Sequence, residues 1–450
     1  MKLTFKDKRV AVIGMGISNL PLIEYLLKEG ALVTGRDRKE LSAMGENVLA
    51  LQEKGVKLIC GEDYLKNIDE EYIFRTPGMR YDTPELAEAV AKGSVLTSEM
   101  ELFFERCPAK MIAVTGSDGK TTTTTLISKM IEKKFGKVYV GGNIGAPLLP
   151  FVDEMTEDDW AVLELSSFQL HTMKRSPHRA VITNLSPNHL DYHTDMQEYV
   201  DAKKNIFLHM TEDESNKLIL NYANEPTRAL AYEAVAGTSV IFFGYEGMVY
   251  EKDGAIWCGD EKVVDTDDIL IPGHHNVENY MAAIAAVYDI VGKDIIVDLA
   301  KTFGGVEHRI ELVRVKDGVR YYNSSIDSSP SRTAAALASF DEKVIAICGG
   351  KDKGVPFDGL AVTLCKGAKK VVLTGATRET IYNAVMNCPE YKDSGLEVAV
   401  EPDFESAVKK ASELASEGDV VILSPGCTSF DAFPNFMARG NKFKEIVRSL

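Results

Sequence analysis

Cysteines are few in this sequence, and none of them forms a CxxC pair. The 450 residues contain seven cysteines, an odd number scattered along the chain. This pattern argues against a disulfide framework and against a cysteine zinc site, and it predicts reduced thiols in a cytoplasmic protein. Residues 1–7 are charged and lack the apolar core of a signal peptide, which also favours the cytoplasm.

Long apolar runs and basic clusters are missing as well. No stretch of about 18 apolar residues is present, so no membrane partner is expected. The chain carries 51 basic and 67 acidic residues, a net charge of −16, without a block of lysine and arginine. Nucleic acid is therefore not an expected partner, and local loops would have to hold any phosphorylated ligand.

Three short apolar runs, each followed by a glycine turn and a helical stretch, organise the chain. Such runs indicate buried parallel strands that feed crossover helices. The predicted strands are 9–14, 111–116 and 343–349, and further ones are 160–164, 179–183, 371–374 and 420–424. Strands that alternate with helices predict an α/β fold.

The length predicts three domains, because about 150 residues is a common domain size. We expect each to be a mostly parallel sheet flanked by helices: a Rossmann-like first domain, a central domain like the P-loop ATPases and a Rossmann-like third domain. The predicted domains are 1–98, 99–305 and 306–450.

The clearest functional motif lies between the strand at 111–116 and a helix predicted from Thr121 to about Lys134. Glycines let backbone amides face phosphate oxygens, and the helix N-terminus adds partial positive charge. Lys120 would hold the β- and γ-phosphates of ATP, and the hydroxyl of Thr121 would bind Mg²⁺. The predicted ATP-binding loop is Gly116, Ser117, Asp118, Gly119, Lys120, Thr121 and Thr122. This loop has two residues between its glycines, whereas the common phosphate loop has four. The alternative to a phosphate loop is a plain glycine turn beside a surface lysine.

Side chains after the next two predicted strands suggest a metal site. Glu164 ends one strand, at the edge where such sheets bind ligands, although a solvated carboxylate is the alternative. His189, Asp191 and His193 follow the other strand and could also be read as zinc ligands. We favour Mg²⁺, because the phosphate loop already requires it and Mg²⁺ prefers oxygen ligands.

Six motifs in order resemble those of the Mur ligases, which build the peptide of bacterial cell-wall precursors. The motifs are TG-x-x-GKT at 115–121, ELSSFQL at 164–170, N-x4-H-x-D at 184–191, AK at 202–203, HN-x-x-N at 275–279 and HR at 308–309. The resemblance covers essentially the whole chain. Within that family, the segments 423–431, 435–436 and 439–440 resemble the D-glutamate-adding branch, as do Gly349, Gly350 and Lys353.

The resemblance implies an ATP-dependent ligase that joins D-glutamate to UDP-N-acetylmuramoyl-L-alanine through an acyl-phosphate. It implies two Mg²⁺ ions, a carbamylated Lys203 and a cytoplasmic enzyme, which we expect to be a monomer. The implied catalytic residues are Lys120, His189 and Lys203, and the implied metal ligands are Thr121, Glu164, His189 and Lys203. An ordinary exposed helix lysine is the alternative for Lys203 if the resemblance is set aside.

The same resemblance implies three sets of binding residues. For the uridine diphosphate substrate they are Ile17, Ser18, Asp37, Thr76, Pro77, Gly78 and Asn143. For ATP they include Asn276 and Asn279 at the adenine end and Arg309, which would reach the γ-phosphate after domain closure. For D-glutamate they are Ser328, Lys353, Ser429 and Phe430.

The chain departs from the family pattern at Ser324, where many members carry an aspartate thought to help hold ATP. Asp327 lies three residues later and could take the place of this aspartate if the loop is shifted.

Three other functions compete with this interpretation. A folate polyglutamate ligase usually begins at the phosphate loop, so the preceding domain argues against it. A nicotinamide-dependent dehydrogenase would need a third glycine where Asn19 stands. A nucleotide-binding switch would leave Glu164, His189 and Lys203 without a purpose.

Overall fold

The computed structural model describes residues 4–189 and 192–450, and in this part of the chain three β-sheets follow one another. Each sheet is mostly parallel and has helices beside it, as the α/β prediction requires. The chain divides into two compact units, Met1–Val264 with Glu278–Ile296, and Asp265–Val277 with Val297–Leu450. The first unit contains the first two sheets. The predicted domain boundaries after 98 and after 305 stay predictions.

The first sheet has five strands in the order β3-β2-β1-β4-β5, and every neighbouring pair is parallel. Its strands are β1 Arg9–Ile13, β2 Leu32–Asp37, β3 Lys57–Cys60, β4 Tyr72–Arg75 and β5 Val95–Thr97. Its helices are α1 Asn19–Lys28, α2 Glu46–Glu53 and α3 Pro84–Ala91, with a 3₁₀ turn at Leu41–Ala43. The carboxyl ends of β1, β2 and β4 meet at one edge, so Gly14, Asp37 and Thr76 lie there.

The second sheet has nine strands in the order β14-β13-β12-β11-β10-β9-β6-β8-β7. These are β6 Lys110–Thr115, β7 Tyr139–Gly142, β8 Trp160–Glu164, β9 Arg179–Ile182, β10 Lys217–Asn221, β11 Ser239–Phe243, β12 Val249–Lys252, β13 Ala255–Cys258 and β14 Glu261–Asp265. Pairing is parallel from β7 to β12, and β12 pairs antiparallel with β13. Because β9, β6, β8 and β7 are neighbours, the residues after all four strands share one edge of the sheet.

Helices in this part of the chain lead into the second sheet, connect its strands and follow it. They are α4 Glu99–Arg106, α5 Lys120–Phe135, α6 Ser167–Leu170, α7 Met196–Lys204, α8 Glu225–Ala229, α9 His274–Val291 and α10 Lys293–Thr302. The 3₁₀ turns are Leu149–Glu154, Leu230–Glu233 and Thr266–Asp268. No helix within the described ranges is both long and apolar enough to cross a membrane.

The third sheet has six strands in the order β15-β16-β20-β17-β18-β19, antiparallel at β15 and parallel elsewhere. The strands are β15 Glu311–Lys316, β16 Val319–Asn323, β17 Val344–Cys348, β18 Ala368–Leu373, β19 Glu397–Val400 and β20 Val420–Leu423. The helices are α11 Pro330–Leu337, α12 Asp358–Gly367, α13 Arg378–Met386, α14 Tyr391–Ser394, α15 Phe404–Glu413 and α16 Phe436–Ser449.

Both faces of the central strands are buried, which explains why these strands are continuous apolar runs. In β1, Val10 and Val12 belong to one apolar cluster, whereas Ala11 and Ile13 belong to another. In β17, Ala346 and Ile347 are divided between two clusters in the same way. Alternate side chains of a strand point to opposite faces, so a strand covered on both sides has no polar face.

Candidate active site

The phosphate loop runs from β6 into α5 with two glycines in the left-handed region. Gly116 has φ +147° and Gly119 has φ +78°. A Cβ built at Gly116 would lie 1.9 Å from Thr183 Oγ1, and one built at Gly119 would lie 2.4 Å from Asn279 Oδ1. Backbone conformation and close packing therefore both require glycine here, as in a loop whose amides must approach a ligand.

Lys120 is the first residue of α5, and its side chain lies over the loop. Its Nζ donates to the carbonyl oxygens of Gly116 at 3.0 Å and Ser117 at 2.8 Å. Ser117 is held from the other side, because its Oγ donates to Ser186 O at 2.9 Å and lies 2.9 Å from Tyr199 Oη. The structure thus places a cation at the loop and fixes the loop against the segment after β9.

Lys203, in the last turn of α7, is buried beside the same loop. Its Nζ donates to Thr115 Oγ1 at 3.1 Å and to Gly116 O at 2.9 Å. Burial lowers the pKa of this amine well below its ordinary value, and the nearby Lys120 cation lowers it further. The structure therefore contradicts the exposed-lysine alternative, because the amine is buried and its surroundings disfavour the charged form.

Glu164 ends β8 with its carboxylate buried at the same sheet edge. Its Oε1 accepts from Asn143 Nδ2 at 2.7 Å, so Asn143 lies next to Glu164. Its Oε2 is buried and has no hydrogen-bond partner among the described residues. A buried anionic oxygen without a donor fits a cation ligand, and the oxygens of Glu164 and Thr121 suit Mg²⁺. The metal roles of these two residues stay predictions.

His189 is exposed and has a left-handed backbone with φ +54°. Its ring is edge-on to Phe168, with 4.9 Å between ring centroids, which places it beside α6, the helix that follows Glu164. Asp191, the second residue of the zinc alternative, lies outside the described residues. Whether His189 binds a metal therefore stays a prediction.

His193, the third residue of that alternative, belongs to a different group of possible metal ligands. Ligand atoms of His171, His193 and Glu198 lie within 4.8 Å of one another. Burial lowers the pKa of His193 to about 4, and His171 beside it adds to this effect. Arg80, however, donates to both oxygens of Glu198, at 2.9 and 3.2 Å. A guanidinium in that place disfavours a second cation, so we do not interpret this group as a metal site.

The two asparagines predicted to bind adenine are both buried. Asn279 accepts a hydrogen bond at Oδ1 from Thr123 Oγ1 at 3.2 Å and thus supports the first turn of α5. Asn276 donates through Nδ2 to Pro272 O at 2.6 Å. Their contact with the adenine of ATP stays a prediction.

Most residues predicted to bind the uridine diphosphate lie at the carboxyl edge of the first sheet. Asp37 accepts hydrogen bonds from the backbone amides of Met15 at 2.8 Å and Lys39 at 2.9 Å. Ile17 is 84 % exposed, which leaves its side chain accessible to a ligand. Ser18 and Gly78 are also exposed, and Thr76 and Pro77 are half-buried. Asn143 is separate from these residues, because it bonds to Glu164.

Within the second unit, residues predicted for D-glutamate follow three neighbouring strands, β16, β20 and β17. Lys353 Nζ donates to Ser328 Oγ at 3.2 Å, so these two residues meet. Ser429 is buried, and Phe430 is 62 % exposed. Arg439, which has no predicted role, is buried and donates to the carbonyl oxygens of Ser325 and Cys427, so it ties two of these loops together.

Ser324, which stands where many family members carry an aspartate, lies close to Asp327. The hydroxyls of Ser324 and Ser424 both lie near the Asp327 carboxylate, whose Oδ2 accepts from Ser424 Oγ at 2.9 Å. The Asp327 backbone amide donates to Ser324 O at 3.0 Å. Burial raises the pKa of Asp327 to about 6, although these hydroxyls and the positive charge of Arg309 oppose the rise. An acidic group is therefore present beside position 324, although it comes from position 327.

Comparison with known proteins covers nearly the whole chain. The family model "Mur ligase MurD-like, N-terminal domain" matches residues 8–98, "Mur ligase middle domain" matches 114–287, and "Mur ligase, glutamate ligase domain" matches 308–427. Two relatives bear the name UDP-N-acetylmuramoylalanine–D-glutamate ligase. The one from Ruminiclostridium cellulolyticum is 50 % identical, covering 99 % of this chain and 97 % of its own. The one from Acetivibrio thermocellus is 48 % identical, covering 100 % and 98 %.

A solved structure has the same fold at low sequence identity. It is the UDP-N-acetylmuramate–alanine ligase of Thermotoga maritima, with a TM-score of 0.56, 19 % identity and coverage of 98 % of this chain and 99 % of that one. Three matched family domains and near-full-length relatives at about half identity agree with each other. The chain belongs to the Mur ligase family.

Proposed function

We propose that this chain catalyses the ATP-dependent ligation of D-glutamate to UDP-N-acetylmuramoyl-L-alanine, in the synthesis of peptidoglycan precursors. The observation that carries the proposal is 50 % identity, over 99 % of the chain, to a relative named for this ligation. The reaction forms an acyl-phosphate and ADP, and then an amide and phosphate. We also propose that the enzyme acts as a monomer in the cytoplasm.

The first step joins two anions, the substrate carboxylate and the γ-phosphate of ATP. Catalysis of such a step depends on charge neutralisation and positioning. Lys120, whose Nζ lies against the carbonyls of the phosphate loop, is the proposed cation for the phosphates. Gly116, Ser117, Asp118, Gly119, Thr121 and Thr122 complete the proposed ATP loop, with Asn276, Asn279 and Arg309 as further ATP contacts.

Lys203 would act in a modified form. Its neutral amine can attack CO₂, forming a nitrogen–carbon bond and releasing a proton, so that an anionic carbamate replaces a cation. The burial that lowers the pKa of Lys203 supports this reaction, because only the neutral amine is a nucleophile. Glu164, Thr121, His189 and carbamylated Lys203 are the proposed Mg²⁺ ligands. Bound Mg²⁺ would supply neutralisation of phosphate charge.

The second step is attack of the D-glutamate amine on the acyl-phosphate, with departure of phosphate. Lys353 and Ser328 are the proposed contacts for a carboxylate of D-glutamate, because a cation and a hydroxyl lie 3.2 Å apart there. Ser429 and Phe430 are the other proposed contacts. Ile17, Ser18, Asp37, Thr76, Pro77 and Gly78 are the proposed contacts of the uridine diphosphate, and Asn143 is proposed to face the sugar.

The test is phosphate release from ATP and UDP-N-acetylmuramoyl-L-alanine with D-glutamate, L-glutamate, L-lysine or L-alanine added in turn. We expect release with D-glutamate and little with the other three. Release with another amino acid would keep the ligase and overturn the specificity. No release with any of the four, in a protein that binds ATP, would overturn the proposal.

A further inference from the structure

Arg80 connects the loop at 76–80, which follows β4 of the first sheet, to two segments that follow β9 of the second. Its Nη1 donates to Tyr192 O at 2.7 Å. Its Nη2 and Nη1 donate to the two carboxylate oxygens of Glu198, at 2.9 and 3.2 Å. The same guanidinium also binds both oxygens of Asp82 at 2.8 Å, which holds it in one orientation. One side chain therefore fixes three segments.

The partners of Arg80 are directly connected to two proposed catalytic residues. The backbone amide of Tyr192 donates to His189 O at 3.0 Å. Glu198 lies in the first turn of α7, and Lys203 lies in the last turn of the same helix. Backbone hydrogen bonds along this one short helix therefore connect Glu198 to Lys203.

A second set of contacts holds the 76–80 loop against the same segments. The Tyr192 hydroxyl donates to Met79 O at 3.3 Å, and the Arg80 guanidinium carbon lies 5.5 Å from the centre of the Tyr192 ring. Arg75 donates to Met79 O at 2.9 Å and to Thr172 Oγ1 at 3.1 Å. The loop is therefore tied to the second sheet's segments at its beginning and at its end.

The Arg80–Glu198 pair is suited to positioning. The exposed fractions of the two side chains are 25 % and 18 %, so water screens the pair only in part. A two-point contact between guanidinium and carboxylate fixes direction as well as distance. Arg80 lowers the pKa of Glu198 to about 2, so the pair stays charged at neutral pH.

We propose that Arg80 is a positioning residue that fixes the 76–80 loop in position relative to His189 and Lys203. This inference rests on the proposed function, in which the loop binds the uridine diphosphate end of the substrate and the other end reacts at the phosphate loop. One substrate molecule must reach both places. Losing the link would therefore weaken substrate binding and also misplace the reacting carboxylate.

The test compares Arg80→Gln, Glu198→Gln and the double variant with the wild-type chain. The matched control is Arg9→Gln, which breaks the exposed Arg9–Asp69 pair (2.7 Å) of the first sheet. We expect each Arg80 or Glu198 variant to raise the KM for UDP-N-acetylmuramoyl-L-alanine about tenfold and to lower kcat about tenfold. The KM for ATP should change less than about twofold, since the phosphate loop keeps its own contacts. The double variant should be no worse than Arg80→Gln, because Arg80→Gln already breaks the pair with Glu198.

Other outcomes overturn the inference. A purely stabilising ion pair would lower the melting temperature and leave both KM values unchanged, and two independent roles would make the double variant additive. Failure of the wild-type chain to use D-glutamate would refute the proposed function and not this link. In that case, calorimetric titration with UDP-N-acetylmuramoyl-L-alanine decides: about tenfold weaker binding to Arg80→Gln supports the link, and equal binding refutes it.

Discussion

The side-chain nitrogen of Lys203 lies 2.9 Å from the carbonyl oxygen of Gly116, the first glycine of the phosphate loop. Burial lowers the pKa of this amine, and Lys120, which supplies a positive charge to the same loop, lowers it further. Glu164 adds a buried carboxylate with one oxygen that has no partner in the described residues. Burial and Lys120 thus disfavour an ammonium at Lys203, although the negative charge of Glu164 opposes this effect.

Replacing Lys203 by alanine should remove nearly all turnover, about 100-fold or more, and leave the fold intact. The reason is that the variant lacks the carbamate oxygens that we propose as metal ligands. The fold should survive, because among the described residues the side chain makes only the two hydrogen bonds to Thr115 Oγ1 and Gly116 O. A small carboxylate such as acetate should restore part of the activity, since it can occupy the space left by the side chain. The measurements are phosphate release and thermal denaturation.

The neighbouring Lys204→Ala is the matched control for that variant. Lys204 binds Asp201 at 3.1 Å and Glu233 at 2.8 Å and has no contact with the phosphate loop in its described interactions. Its loss should leave turnover within about twofold. Turnover close to that of the wild type in Lys203→Ala would refute the carbamate proposal.

Gly119→Ala and Gly136→Ala compare two glycines of similar φ at the two ends of α5. Gly119 has φ +78° and Gly136 has φ +80°, so alanine is strained about equally at both. A Cβ at Gly119 would also meet Asn279 Oδ1 at 2.4 Å, whereas one at Gly136 would meet nothing within 4 Å. We expect Gly119→Ala to weaken ATP binding at least about tenfold, and Gly136→Ala to cost about 1 kcal/mol of stability without changing ATP binding.

Isothermal titration with ATP and urea denaturation measure these two effects separately. Equal ATP affinities in the two variants would show that the close approach of Asn279 to Gly119 is unimportant for nucleotide binding.

Lys353→Ala should raise the KM for D-glutamate about tenfold and leave the KM for ATP unchanged. Lys353 Nζ lies 3.2 Å from Ser328 Oγ, so the variant removes the cation from the proposed carboxylate contact. The control is Lys366→Ala, because Lys366 is an exposed lysine on α12, a helix beside the same sheet. An unchanged KM for D-glutamate would place the amino-acid site elsewhere.

Much of the fold could be predicted because the central strands are buried on both faces. The predicted strand 160–164 has these bounds in the structure. The hairpin β12–β13 was not predicted, since both strands have four residues and β12 ends in an exposed glutamate and lysine. Its turn at Asp253 and Gly254, both with positive φ, is a sequence signal that could have found it.

The site could be predicted where its residues follow single strands, and not where distant segments meet. Local motifs contain the phosphate loop and Glu164, whereas Lys203 was indicated only by the resemblance to the Mur ligases. Arg80 and Glu198 are 118 residues apart, and a lone arginine or glutamate in sequence does not indicate its partner. The pairing of Ser324 with Asp327 depends on a loop geometry that the residue types alone do not determine.

Ser324→Asp would place the aspartate of the family pattern beside a carboxylate that is already buried. Ser324 is fully buried, and its side chain lies near the Asp327 carboxylate, so two carboxylates would share one site and repel each other. We expect a loss of stability on the order of 3 kcal/mol at pH 8 and no gain in activity. The folded-state pKa of Asp327 is raised to about 6, above the ordinary 3.8, so stability falls as pH rises from about 4 to about 6.

The second carboxylate should make the free energy of unfolding decrease more steeply as pH rises. Ser324→Asp should therefore lose less stability, relative to the wild type, at pH 5 than at pH 8, as measured by urea denaturation. The control is the exchange Ser324→Asp with Asp327→Ser, which restores one acid and one hydroxyl. If Asp327 supplies the acid that position 324 lacks, the exchange should recover most of the stability. It should also retain ATP binding, because the carboxylate stays in the same buried site. A single variant as stable as the wild type at pH 8 would show that the two side chains do not share a site.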